Sequence, residues 1–199
     1  MVKKCFYLLI LLFSLSCEPI DYSAPIYYDE YYPIELNNIK EYYVTEIAHT
    51  SFGKDTNHYF LKEIITENFI DAEGDSANRI ERFWKTDSLA EYTIKDIWTT
   101  KKTIRSAEKV EENERFIKMV FPLNRYQFWD GNAYNFQDAQ EYTIENLHES
   151  IIINNNSFDS TVTVIHNFNS NQIEYKSEKE VYAFGIGLIY KENRLLNIN

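Results

Sequence analysis

The sequence predicts a mainly β protein, built as a single antiparallel, curved sheet or partly closed barrel with one or two short helices. Three observations predict it. Segments rich in Tyr, Ile, Val, Thr and Phe recur along the chain, and such residues fit a pleated, half-buried surface. Polar turn signals separate the segments, among them Gly53-Lys54-Asp55, Glu73-Gly74-Asp75, Asp130-Gly131-Asn132 and Asn154-Asn155-Asn156. The 16 tyrosines and 13 phenylalanines suit packed strands better than a helical bundle.

Taken in order, strands are expected over Glu41 to Ala48, His58 to Ile70, Arg79 to Lys85, Glu91 to Ile104, Arg115 to Pro122, Glu141 to Leu147 and Thr161 to Asn167. In the fourth, Tyr92, Ile94 and Trp98 fall at period two, with Thr93, Lys95 and Thr99 opposite, the pattern of a sheet with one wet face. Trp84 and Trp98 are read as core residues of their strands. Ser177-Glu178-Lys179-Glu180 has the form of a capping box and predicts one helical turn ending near Gly185, and Asn135 to Gln140 predicts a second. Beyond it, Leu188 and Tyr190 alternate with Ile189 and Lys191, so the C-terminal segment is expected to enter the sheet, with Gly185 and Gly187 permitting a bend.

The first residues address the chain. Lys3 and Lys4 precede an apolar run from Cys5 to Phe13, then Ser14-Leu15-Ser16-Cys17, the order of a secretory signal peptide. The run is about half the roughly 20 residues a spanning helix needs, and Glu18, Pro19 and Asp21 follow it. Ser-Leu-Ser-Cys resembles the bacterial lipobox, which implies cleavage before Cys17 and a diacylglycerol on its sulfur. Once Cys5 leaves with the leader, Cys17 has no disulfide partner, and acylation is the use that remains for it in an oxidising compartment. Residues 1–16 are therefore expected as the leader, 17–33 as a lipidated, extended tether carrying Pro19, Pro25 and Pro33, and 34–199 as one β-rich domain. Tyr27-Tyr28 and Tyr31-Tyr32 in the tether are expected to pack onto the domain edge.

Charge and glycine usage exclude several functions. Without Lys3 and Lys4 the 20 basic residues become 18 against 31 acidic ones, and no basic face remains to neutralise phosphates, so nucleic acid is not an expected partner. Five glycines form no P-loop, dinucleotide fingerprint or nucleophile elbow. His49, His58, His148 and His166 have no ligand spacing, and neither a metal nor another cofactor is expected. Glu111-Glu112 and Asp159 could serve glycoside hydrolysis only if folding brought carboxylates together, and solvated surface charge is the default reading. The most individual stretch is Trp129-Asp130-Gly131-Asn132-Ala133-Tyr134-Asn135. Trp129, Asp130, Asn132 and Tyr134 are the candidate ligand contacts, an aromatic and amide set of the kind that binds sugars. The competing reading is an Asp-Gly turn with Trp129 buried beside it.

Arg79-Ile80-Glu81-Arg82-Phe83-Trp84, Asp96-Ile97-Trp98-Thr99, Phe121-Pro122, the Trp129 to Asn135 stretch and Val181-Tyr182-Ala183 with Gly187-Leu188-Ile189-Tyr190-Lys191 together resemble an uncharacterised lipoprotein family of Bacteroidetes. The resemblance implies a Gram-negative envelope and brings no catalytic site. The chain is thus expected to be a non-catalytic, monomeric lipoprotein of the outer membrane. It would be held by acylated Cys17, on the periplasmic face in preference to the cell surface, and would bind an envelope protein or glycan. The alternative is a half-barrel carrier of an apolar ligand.

Overall fold

The computed structural model describes residues 26–50, 53–167 and 174–197. The expected leader and Cys17 lie outside the described residues. Within them the protein is mainly β and antiparallel, with a curled half-barrel sheet and a second sheet. The half-barrel runs in sequence order through β1 (Ile39–Thr50), β2 (Gly53–Ile70), β3 (Ser76–Lys85), β4 (Thr93–Lys102), β5 (Ser106–Glu111) and β6 (Glu114–Val120). The second sheet comprises β7 (Phe128–Asp130), β8 (Glu141–Ile153), β9 (Asn156–Asn167), β10 (Glu174–Ala183) and β11 (Gly187–Asn197), ordered β11-β10-β9-β8-β7. Every strand pairs with a sequence neighbour, as short turns between antiparallel strands require.

The sheets meet at both margins. At β6 and β7 the Ile117 N–H donates to the Gly131 carbonyl at 2.9 Å, and the Trp129 indole N–H donates to the Ile117 carbonyl at 2.8 Å. Across the other margin the Tyr42 hydroxyl of β1 donates to the Leu188 carbonyl of β11 at 3.3 Å. The result is a partly closed barrel, stitched by backbone on one side and bridged by a side chain on the other.

Between the layers lies one apolar cluster. Ala107, Ile117, Met119 and Phe121 come from or follow the half-barrel, and Tyr142, Ile144, Val162 and Val164 come from the second sheet. Tyr31 and Tyr32, expected in the tether, belong to this cluster. A short 3-10 turn over Asp29–Tyr31 drives the Tyr31 ring fully inside, where its hydroxyl bonds His148 Nδ1 at 2.7 Å and Ser160 Oγ at 2.6 Å. Tyr31 and Tyr32 therefore pack into the core while Tyr28 lies at its margin and Tyr27 stays exposed, and the buried phenol of Tyr31 finds in His148 and Ser160 the polar partners it needs.

Both expected helical turns are corrected. Ser177 to Glu180 lies inside β10, where Glu178 and Glu180 alternate with Lys179 and Val181 and pair with β9 and β11; cross-strand pairing outweighs a local capping pattern. Asn135 to Gln140 is a non-helical turn held by side chains. The Asn135 Oδ1 accepts the Gln137 N–H and the Asn132 Nδ2 donates to the Asp138 carbonyl. Among the described residues no helix is long and apolar enough to cross a membrane.

Candidate binding face and the charged seam behind it

Register decides which side chains of the half-barrel turn toward the second sheet. Lys40 pairs with Glu63 and Glu63 with Arg82, while Tyr42 pairs with Leu61 and Leu61 with Trp84. Because side chains alternate along a strand, these residues share the inner face, with Trp98 joining them opposite Ile80. Arg82 anchors the middle of that face. Its Nε donates to Glu63 at 2.9 Å, its Nη1 to both oxygens of Asp96 at 2.9 Å, and its guanidinium lies 3.3 Å from the centre of the Trp98 ring. Such a flat cation on an indole is held by the ring's negative face as well as by its two carboxylates.

Toward the open end the face becomes aromatic and wet. Trp84 is 39% exposed and stands edge-on to Tyr59 at 6.3 Å, and the half-buried Trp98 donates its indole N–H toward Glu112 at 3.4 Å. This corrects the expectation that both tryptophans are core residues. The inner face of a half-barrel is a core only where the second sheet covers it, and the cover ends before Trp84.

Behind the aromatic stretch a line of charges crosses between the sheets. Lys109 is shared by Glu63 at 3.5 Å and Glu111 at 3.9 Å, and Glu111 lies 3.6 Å from Lys118. Lys118 donates to Glu180 at 2.9 Å, and Lys191 reaches Glu178 at 2.8 Å and Glu180 at 3.1 Å. Burial works against Glu111, Lys118, Glu178, Glu180 and Lys191, yet the partners win. Lys118 is held well above the ordinary lysine range by Glu180 and Glu111, and Glu180 well below the carboxylate range by Lys118 and Lys191. Burial pushes Glu178 up, but His166 and Lys191 outweigh it and bring the group down to about 2. Nearby, Lys40 is pushed down by burial, and its ammonium abuts Gly187, where an added Cβ would meet Nζ at 2.6 Å and the Pro33 Cδ at 3.1 Å. That close approach, with φ of +88°, is why glycine stands there.

A second charged cluster lies on the outer face. Lys101 Nζ sits among Asp71 at 3.0 Å, Glu73 at 2.5 Å and Asp75 at 3.0 Å, while Arg115 forks onto Glu73 and bonds Glu108. His166-Glu178-Glu180 and Asp71-Glu73-Asp75 each bring three metal-ligand groups together. In both, lysine ammoniums already occupy the cation position, so neither is assigned as a metal site. Sequence reading missed the first because His166 joins Glu178 and Glu180 through β9–β10 pairing. A period-two Glu-x-Glu within a strand was its one visible trace.

The residues singled out in the sequence divide. Trp129 is buried and packs edge-on against Tyr142, and Asp130 Oδ1 accepts the N–H groups of Asn132 and Gln140. Gly131 lies under the Tyr142 ring, where a side chain would collide with it. Asn132 is buried as well, so Trp129 and Asn132 go into building the turn, and the partly exposed Asp130 spends Oδ1 on it. Tyr134 alone of the set is open, 54% exposed beside the Arg115 guanidinium at 4.8 Å. Glu111 is tied to lysines, whereas Asp159 is exposed on β9. No protein-family model matches the chain, and no curated protein or solved structure is detectably similar to it.

Proposed function

We propose that this protein is a lipid-anchored envelope protein of the outer membrane that works by binding, with acylated Cys17 as its tether and the open inner face of the half-barrel as its recognition surface. The observation that carries the reading is that face: Trp84 and Tyr59 stand partly in solvent beside an Arg82 locked by Glu63 and Asp96. Rigid aromatic rings offer contact area at little entropic cost, and the buried Arg82, stacked on Trp98, helps keep the face rigid. An envelope protein or a neutral glycan suits it better than a polyanion, since the chain carries a formal charge of −11. The carrier reading would be favoured by a large dry cavity. A cavity between the sheets measures about 50 Å³ and sets Tyr32, Ile65 and Leu188 beside Lys40, Lys109 and Glu63, and another of about 300 Å³ sets Phe69, Ala77 and Val110 beside Lys101, Arg115 and Glu108. Apolar ligands are housed in pockets of roughly 300–1,000 Å³ lined mainly by apolar groups.

Two measurements test the proposal. Mass spectrometry of the envelope-extracted protein should find a diacylated or triacylated Cys17 at the mature N-terminus, and an unmodified peptide there would overturn the anchor. A glycan array and a panel of purified envelope proteins should yield a ligand whose capture falls at least tenfold in Trp84→Ala, with Tyr134→Ala unaffected. Equal capture by wild type and Trp84→Ala would move the binding surface elsewhere.

A further inference from the structure

His166 is the one group of the seam whose proton is exchangeable near neutral pH. It is 3% exposed, and its ring stacks on Tyr142 at 3.7 Å with the planes 10° apart. Nδ1 faces Glu178 at 3.4 Å, and Nε2 faces Glu180 at 3.6 Å with no hydrogen-bond partner of its own. Both ring nitrogens therefore point at carboxylates, which only an imidazolium can serve with two N–H donors.

The charges around the ring make the same demand. Glu111 on β5, Glu178 and Glu180 on β10 are three carboxylates, against the ammoniums of Lys118 on β6 and Lys191 on β11. An imidazolium evens the balance, and a neutral ring leaves one buried negative charge over. Following the line through Lys109 and Arg82 to Glu63 and Asp96 adds two charges of each sign and changes nothing. Lys95 beside Asp96 and Lys40 beside Glu63 add positive charge at the far end of the line, while the ring's own surroundings are completed by the hydroxyls of Tyr142 on β8 and Tyr182 on β10.

We infer that His166 is a proton-operated clasp: charged, it ties β9 to β10 and keeps the β10–β11 edge seated on the half-barrel, and on losing its proton it lets that edge loosen. The direction follows from linkage. Burial lowers the affinity of His166 for its proton, but Glu178 and Glu180 outweigh it and hold the group above the ordinary histidine value. The stabilisation is therefore complete below about pH 6.5, the free histidine value, and disappears as pH rises through the raised one. What the clasp governs is the covered part of the inner face, where Gly187 and Leu188 of β11 lie against Lys40 and Tyr42 of β1.

The test uses the full chain in detergent. Imidazole NMR should show His166 titrating above the free histidine value of about 6.5, and amide exchange at Val181 and Lys191, corrected for intrinsic rates, should accelerate by up to about tenfold per pH unit between that value and the His166 titration and level off beyond it. In His166→Gln the acceleration should vanish, and in Glu178→Gln the titration of His166 should move to lower pH. A His166 that titrates at or below the free histidine value of about 6.5 overturns the inference, as does protection at Val181 and Lys191 that stays flat from that value up to its titration.

Discussion

Two clusters in this protein use the same chemistry, lysine ammoniums held by three carboxylates, at opposite levels of burial. Around Lys101 the acids Glu73 and Asp75 stand more than half in solvent, whereas around Lys118 the side chain of Glu180 is 2% exposed. Glu73 and Glu178 both titrate near about 2, the first through its bonds to Arg115 and Lys101, the second because His166 and Lys191 overcome a large burial penalty. Equal shifts do not mean equal stability. Water screens the outer cluster and can replace any lost partner, while in the seam a removed partner leaves a charge with nowhere to go.

The largest expected effect breaks the comparison outright. Deleting Gly187 to Asn199 removes β11, Leu188 from the core margin and Lys191 from the seam while sparing the Lys101 cluster. The shortened chain should fail to fold, seen as loss of the β-type circular dichroism and of any cooperative melt. An unchanged melting temperature would mean that the inner seam does not depend on its cover.

Next comes Glu180→Ala, which strands Lys118 and should cost about 3–5 kcal/mol in urea unfolding. Replacing both partners, as Lys118→Met with Glu180→Leu, should recover most of that loss, because the pair's own net contribution is small once desolvation is counted. If the double variant were as unstable as the single, the pair itself would be the stabiliser and not merely the absence of a stranded charge.

Acid sharpens the contrast. The folded-state pKa of Glu178 is depressed, so its contribution is present above the ordinary value and is lost as pH falls from about 4.5 through about 2. The drop should be roughly 3 kcal/mol for a largely buried carboxylate, and Glu178→Gln should flatten it. Stability measured by urea titration at stepped pH would report an error if wild type and variant ran parallel.

The smallest effect belongs to the outer cluster. Glu73→Gln should shift the melting temperature far less than Glu180→Ala, and the shift should shrink further in high salt. A salt-independent loss comparable to that of Glu180→Ala would erase the difference burial is argued to make.

The sequence by itself determined the class of the fold. The recurring Asn and Gly turns and the β-rich stretch around Tyr92, Ile94 and Trp98 are local signals, and β4 forms there within two residues of its expected ends, although a bulge turns Ile94 to the face opposite Trp98. It also exposed the ambiguity at Trp129 to Tyr134, because Asp-Gly chemistry is local too, and the hydrogen bonds of Asp130 and Asn132 resolve it toward a turn. What only the tertiary structure decided is everything that depends on which strand lies beside which. β5, β7 and most of β10 carry charges or are too short to show an apolar alternation. Lys118 and Glu180 are 62 residues apart, and His166 meets Glu178 and Glu180 through the β9–β10 register. Trp84 and Arg82 share a face, yet one is wet and the other buried, because the second sheet ends between them. Alternation tells which side of a strand a residue occupies; whether that side is covered, and by what charge, is set by a partner strand far along the chain.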